Sequence, residues 1–186
     1  DTQAKLFLDN NENNIVYLNG NIYIYIGNEE GTKGRWFHDE KLERTKKIMS
    51  DYLSGIFIDY GKLLNKLKTD MDSEEETDDI AELEDKINKN YKLTKMLKNC
   101  CKINSITERM KQLLSVKDFS DIEFDTNGYL VPFLNTCYDL KTHNWVGTRR
   151  ENYVLETAGY NWKTPTDAQM ETIDTLFIEI FPNEDV

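Results

Sequence analysis

The sequence lacks several things, and each absence excludes a class. Its longest uninterrupted apolar runs are a few residues, far short of the ~20 needed to span a bilayer. Its three Cys are an odd number, and Cys100 and Cys101 are adjacent. That is no disulfide framework, and buried thiols in a reducing compartment are the expectation. Only three Pro and two His occur in 186 residues. No signal peptide opens the chain, which begins Asp1-Thr2-Gln3 and reads as a piece excised from a longer protein. Secreted and membrane classes are set aside. The expected location is cytoplasmic, with no membrane partner.

What is present argues for a folded chain. The apolar fraction is 39%, with ten Tyr, eight Phe and three Trp, which excludes global disorder. The length allows one compact domain that buries roughly 70% of its unfolded surface. A net charge of −11 would discourage nucleic acid as a partner, but the charge is segregated. Residues 70–85 hold ten acids and no base, whereas residues 86–117 hold nine Lys or Arg against the single acid Glu108. At a Debye length of about 8 Å each segment acts locally.

Periodicity predicts an α+β fold. Two β-rich runs flank Asn19-Gly20, the pair that best accepts a tight hairpin turn. A Gly-rich loop then leads to a third strand at Arg35-Trp36-Phe37-His38. Asp39 is a helix N-cap, and Met49, Tyr52, Leu53, Ile56, Phe57, Tyr60, Leu63, Leu64 and Leu67 recur at helical spacing over about 28 residues. Ser73-Glu74-Glu75-Glu76 has capping-box spacing, with Ile80, Leu83 and Ile87 on one side of the helix it starts and Asn88 and Asn90 ending it. Over 90–102, Leu93, Met96, Leu97, Cys100 and Cys101 share one helical face, opposite Lys92, Lys95, Lys98 and Lys102. Ile106, Met110, Leu113 and Leu114 then point inward from a further helix. The pattern returns to strands at Tyr129 to Phe133, Thr136 to Leu140 and Trp145-Val146. A last helix opens at Pro165, presents Met170, Ile173, Phe177 and Ile180, and closes at Pro182. The expected organisation is a small N-terminal antiparallel sheet over 15–38, a helical bundle over 39–117 with an acidic linker at 70–85, a β-hairpin region over 118–163 and a terminal helix over 164–182.

Few residues fit a catalytic pattern. Gly27-Asn28-Glu29-Glu30-Gly31-Thr32-Lys33-Gly34 approaches a phosphate loop but fails. Its second Gly is one position early, Gly34 replaces the hydroxyl residue, a strand follows, and two acids would repel phosphate. Zinc needs converging ligands, which the adjacent Cys100 and Cys101, lone Cys137 and distant His38 and His143 do not supply, so the thiols are expected as core packing. Each His sits in an aromatic or turn context rather than as an acid–base pair, and the acidic run reads as solvated linker rather than a metal site. No catalytic, cofactor-binding or metal-binding residue is therefore expected. The best functional surface that composition offers is basic: Lys92, Lys95, Lys98 and Lys102 could track a phosphate backbone, set against the plainer reading of a solvated helix face. Lys141, Arg149 and Arg150 form a second cluster around Trp145, which could stack on a base but is expected in the core.

The stretch from Leu130 to Thr142, with Phe133, Asn135, Asp139, Leu140 and Thr142, resembles the signature Phe-x-Asn-Gly-x-x-Asp-Leu-x-Thr of a module in poxvirus, giant-virus and phage or plasmid primase-helicases. There it precedes a superfamily 3 helicase ATPase. Glu151-Asn152-Tyr153-Val154 and Gly159-Tyr160-Asn161-Trp162 resemble the elements that follow, and the ending from Leu176 to Asp185 is similar to the helix leading into the ATPase. The resemblance covers roughly residues 15–186, and Thr136 stands where the family has Gly. It implies that 1–186 is one connector domain whose signature residues are structural, Tyr153 and Tyr160 among them. It further implies a non-catalytic role in viral or phage DNA replication, linking primase to helicase and supporting ring assembly and DNA engagement. ATP and Mg would serve the parent's absent helicase domain. Partners would be further copies in a ring, a hexamer by resemblance, together with DNA and other replication proteins. The alternative is an interaction or oligomerisation scaffold with no nucleic-acid contact. A free-standing nuclease finds no supporting constellation.

Overall fold

A computed structural model describes residues 2–27, 34–71 and 78–180. The chain begins with a helix that no sequence pattern announced, α1 (Thr2–Asn11), followed by a 3-10 turn at Glu12–Asn14. Ala4, Phe7 and Leu8 have helical spacing and are buried, but ten residues are too few for periodicity to stand out. α1 closes one side of the core, resting on α4 (Cys100–Leu114).

The first sheet forms as its sequence predicts. β1 (Ile15–Leu18) and β2 (Asn21–Ile26) pair antiparallel across Asn19 and Gly20, whose φ angles of 52° and 83° are those a two-residue hairpin requires. β3 (Arg35–His38) pairs with the other edge of β2, placing Trp36 opposite Tyr25. The Gly-rich stretch at 28–33 lies outside the described residues.

Asp39 then starts α2 (Glu43–Met71) from a distance. Leu42 turns the chain at φ 59°, and the Asp39 carboxylate accepts hydrogen bonds from the Thr45 backbone N–H and hydroxyl, both at 2.6 Å. With the Arg44 N–H facing the same carboxylate at 3.4 Å, two of the free N–H groups of the first helical turn are satisfied in this way. Met49 and Leu53 enter a core shared with Phe7, Ile22, Ile24, Leu97, Ile103, Ile106, Met110 and Leu114. The second half of α2 leaves that core. Tyr60, Leu63 and Leu67, expected inward, are about half exposed; among the described residues α3 (Asp78–Leu97) is the element that packs most along α2. Contacts of Ser50 with Leu97, Phe57 with Asn90 and Lys68 with Glu84 show that α2 and α3 are antiparallel. The two axes approach closely at Gly61, where an added Cβ would lie 2.7 Å from the Asn90 amide nitrogen.

Four expectations for this region are corrected. α3 runs through Asn88 and Asn90, because the Asn90 amide donates to the Phe57 carbonyl of α2 at 2.8 Å instead of competing for its own backbone. The helix expected to be continuous over 90–102 breaks at Lys98 and Asn99, where the Asn99 side chain accepts from the Cys101 N–H at 2.9 Å and begins α4. Cys100 and Cys101 are exposed rather than buried, since they precede the inward face that starts at Ile103, whereas Cys137 is buried. The acidic segment expected as a linker is helical at Asp70 and from Asp78 to Asp85. There Glu82 and Asp85 pair with Lys86 and Lys89 one turn on. Residues 72–77, with the capping box, lie outside the described residues.

β4 (Leu130–Pro132), β5 (Cys137–Asp139) and β6 (Asn144–Val146) form the second antiparallel sheet in the order β4-β5-β6. α5 (Asp167–Ile180) ends the described chain, with its expected apolar residues Met170, Ile173, Phe177 and Ile180 all exposed. Pro182 is outside the described residues. With five helices and two small sheets among the described residues, the fold is α+β.

Trp36 joins the two halves. It is 1% exposed, and its indole N–H donates to the Arg150 carbonyl at 2.8 Å while its backbone N–H donates to the Val154 carbonyl at 2.9 Å. Its ring stacks on Tyr153 and meets Phe124 edge-on. Trp36→Ala is expected to destabilise the chain by about 3–5 kcal/mol. Trp36→Phe, which keeps a ring but leaves the Arg150 carbonyl unpaired, should cost about 1–3 kcal/mol. Urea unfolding followed by circular dichroism reads both.

Candidate nucleic-acid interface

The second sheet is too short to stand alone, and the signature residues supply what its ladders lack. The Asn135 side chain behaves like a short strand: its amide donates to the Trp162 carbonyl at 3.0 Å and its oxygen accepts from the Trp162 N–H at 2.8 Å. Beside it, Leu134 N–H donates to the Tyr160 carbonyl and Ala158 N–H to the Pro132 carbonyl. Residues 158–162 are thereby strapped along β4 and the turn after it. Thr136, where the resembled signature has Gly, sits in a backbone conformation open to any residue. It is not among the residues of positive φ, and its carbonyl accepts from the Phe133 N–H at 2.8 Å.

Asp139 closes the next turn. Its carboxylate accepts from the Lys141 N–H at 2.8 Å and faces the Thr142 N–H at 3.4 Å. The bond from Lys141 holds the carboxyl below its usual range. His143, at φ 54°, completes this turn, and the Leu140 N–H reaches the Tyr129 carbonyl. Tyr153, in the left-handed region at φ 48°, lays its ring on Trp36. These signature residues shape and seat the sheet.

The structure places the basic residues of 92–102 on α3, on α4 and in the break between them. Lys92 and Lys95 are exposed on the last turns of α3, and Lys98 is exposed in the break. Lys102 is half-buried on α4, lining a hollow with Gln3 and Ala4 of α1. The capped break at Asn99 ends the single helical face that would have aligned all four. Arg150 pairs with Glu151 at 3.0 Å, whereas Lys141 and Arg149 are exposed. His38 stacks on Tyr23 in the first sheet, and His143 turns the second, so each has the context expected of it. Among the described residues no group of three His, Cys, Asp or Glu is placed to hold a metal. Among the same residues no helix is long and apolar enough to cross a membrane.

An aromatic cluster forms where sequence reasoning expected only a buried Trp145. Phe133 touches Trp145, Tyr160 and Trp162 at centroid distances of 6.0, 5.5 and 5.5 Å. Trp145 in turn lies 4.8 Å from its cross-strand partner Tyr138 and 4.6 Å from Trp162. Trp145 is 45% exposed on β6, which among the described residues is an edge strand. Tyr160 is 60% exposed, and Tyr129, 59% exposed, lies beneath the Lys141 ammonium at 6.0 Å. Tyr138 and Trp162 stand in the stretches that carry the resemblance but are not singled out by sequence as site residues, because their roles arise from pairings across a turn and a 27-residue interval.

The D5 N-terminal-like family matches residues 4–182, and the chain belongs to it. Members of this family are the module that precedes the superfamily 3 helicase in viral primase-helicases. The match begins within α1, upstream of residue 15, where the resemblance to the signature module starts. No curated protein matches the chain.

Two outcomes test the structural role of the signature. Asn135→Ala should cost about 1–3 kcal/mol in urea unfolding, since Trp162 loses a donor and an acceptor together. The depressed Asp139 carboxyl favours the folded state above its ordinary range, and that contribution is lost as pH falls through the folded value. Unfolding midpoints measured between about pH 2 and 5 should therefore fall less steeply in Asp139→Asn than in the parent chain.

Proposed function

We propose that this chain is a non-catalytic connector and assembly module of a viral or phage replicative primase-helicase. It links priming to unwinding, supports assembly of a ring of identical subunits, and engages DNA during replication. Nucleotide and Mg would be bound by a helicase portion of the longer parent, and the module's partners are further copies, DNA and other replication proteins in an infected or bacterial cytoplasm.

The family match over 4–182 supports this reading, and one structural observation carries its assembly role. α5 leaves the folded body with no buried residue among its fourteen, while Met170, Ile173, Leu176, Ile178 and Ile180 are 43% to 69% exposed. An apolar helix of this kind is stable when something covers it. In a connector the cover comes from a neighbouring subunit or from the next domain.

The chain is expected to self-associate with concentration in sedimentation equilibrium, with or without DNA. Ile173→Asp combined with Leu176→Asp should shift it to monomer and leave the thermal midpoint of the body unchanged. A chain that is monomeric at high micromolar concentration, before and after these changes, would remove the assembly role.

A further inference from the structure

The exposed aromatic face of the second sheet has a chemistry of its own. Along β4, β5 and β6, Val131, Tyr138 and Trp145 are paired across the sheet and project to one side, with Asp139 and Asn144 projecting to the other. Trp162 and Tyr160, held by the strap at Asn135, extend that face beyond the sheet edge. Trp145, Tyr160, Tyr129 and Leu140 are each more than 40% exposed and form a mostly aromatic patch. Aromatic rings left half in water on a fixed frame are ready to take a flat, apolar-faced ligand.

The charge around the patch says which ligand. The chain carries −11, yet residues 126–163 hold Lys141, Arg149, Arg150 and Lys163 against Asp139, Glu151 and Glu156. Glu151 is paired with Arg150, and Glu156 lies with Leu130 and Pro132, on the side of the sheet away from Val131. Asp139 is on the opposite side of the sheet and its carboxylate is occupied by the backbone of the turn. Lys141 is already seated over Tyr129, Lys163 follows Trp162, and Arg149 follows the edge strand that bears Trp145. An aromatic surface with one cation seated over a ring, further cations adjacent in sequence, and nearby carboxylates either ion-paired or on the opposite side of the sheet matches a polyanion with exposed flat bases. Duplex DNA hides those faces in its stack.

We propose that this face binds single-stranded nucleic acid, stacking unpaired bases on Trp145 and Tyr160 while Lys141, Arg149 and Lys163 hold the phosphates. The inference rests on the replication role proposed above, deepens its DNA engagement, and moves the contact from the helical lysines at 92–102 to the second sheet. Stacking tolerates every base, so binding is insensitive to sequence and strongly dependent on salt.

The test is a titration of the chain with a labelled oligo(dT) strand, read by anisotropy and by quenching of tryptophan emission. Trp145→Ala and, separately, Tyr160→Ala should each weaken binding by about tenfold, and Trp145→Phe should recover most of the loss. The slope of log affinity against log salt should be about −2, three phosphates at roughly 0.7 each, and become shallower in Lys141→Glu with Lys163→Glu. Tyr160→Ala keeps the test decisive where Trp145→Ala disturbs the sheet, since Tyr160 is mostly exposed. Full affinity in both alanine variants would overturn the proposal. So would equal affinity for duplex, or loss of binding only on Lys92→Glu, Lys95→Glu and Lys98→Glu. A change in sedimentation with no change in DNA affinity would show a second copy on this face and would also overturn it. Failure here with self-association through α5 intact leaves the assembly role standing; a monomer that still binds oligo(dT) through Trp145 reverses that outcome.

Discussion

Much of the structure depends on one buried indole. The helical core forms around α1, α2, α4 and the first sheet, and the second sheet has too little apolar surface to fold on its own. Trp36 bridges them. Its side chain and backbone take hydrogen-bond acceptors from residues 114 and 118 positions away, at Arg150 and Val154. Around it Tyr25 reaches the Thr148 carbonyl and Arg35 the Thr157 hydroxyl. Asp125 adds a second clamp, its carboxylate accepting from the Leu155 and Glu156 N–H groups. The left-handed backbone at Tyr153 costs on the order of 1–2 kcal/mol. The parallel contact of its ring with Trp36, 5.7 Å between centroids, offsets that strain.

Local chemistry made some elements readable and long-range chemistry hid others. Asn19-Gly20 fixed the first hairpin because only a few residue pairs accept two positive φ angles. Ile106, Met110 and Leu114 announced α4 by spacing alone. The end of α3 was misplaced because Asn is ambiguous. At 90 its side chain is consumed by another helix, and at 99 it caps its own successor. Nothing within a few positions distinguishes the two. The inward stripe of α2 was read as longer than it is, because periodicity reports which side is apolar and not how far a partner extends. Trp145 was expected to be buried, and only the strand order reveals that it lies on an edge.

The segregated charge has a structural outlet. Glu82 and Asp85 meet Lys86 and Lys89, Glu84 meets Lys68, and Glu12 meets Lys117 from the opposite end of the chain. Each is exposed and worth little by itself. Together they draw the first lysines of the basic segment into local pairs along α3, which lowers the potential that segment can present to a phosphate backbone. Around the second sheet Arg150 is likewise paired, with Glu151, whereas Lys141 and Arg149 stand exposed.

The signature residues give a different lesson from the one their recurrence in a family invites. Hydrogen bonds commit Asn135 to Trp162 and Asp139 to the turn at Lys141, while Tyr153 lays its ring on Trp36. A side chain whose hydrogen-bonding capacity is committed internally is poorly placed to recognise anything else. Such residues fix a frame. What the frame leaves outward is the face of Trp145, Tyr160 and Tyr129 on one side and the apolar length of α5 on the other. Those are the surfaces on which water is least well accommodated. The connector role proposed above would be exercised through those surfaces, because holding and positioning act by covering apolar and aromatic area.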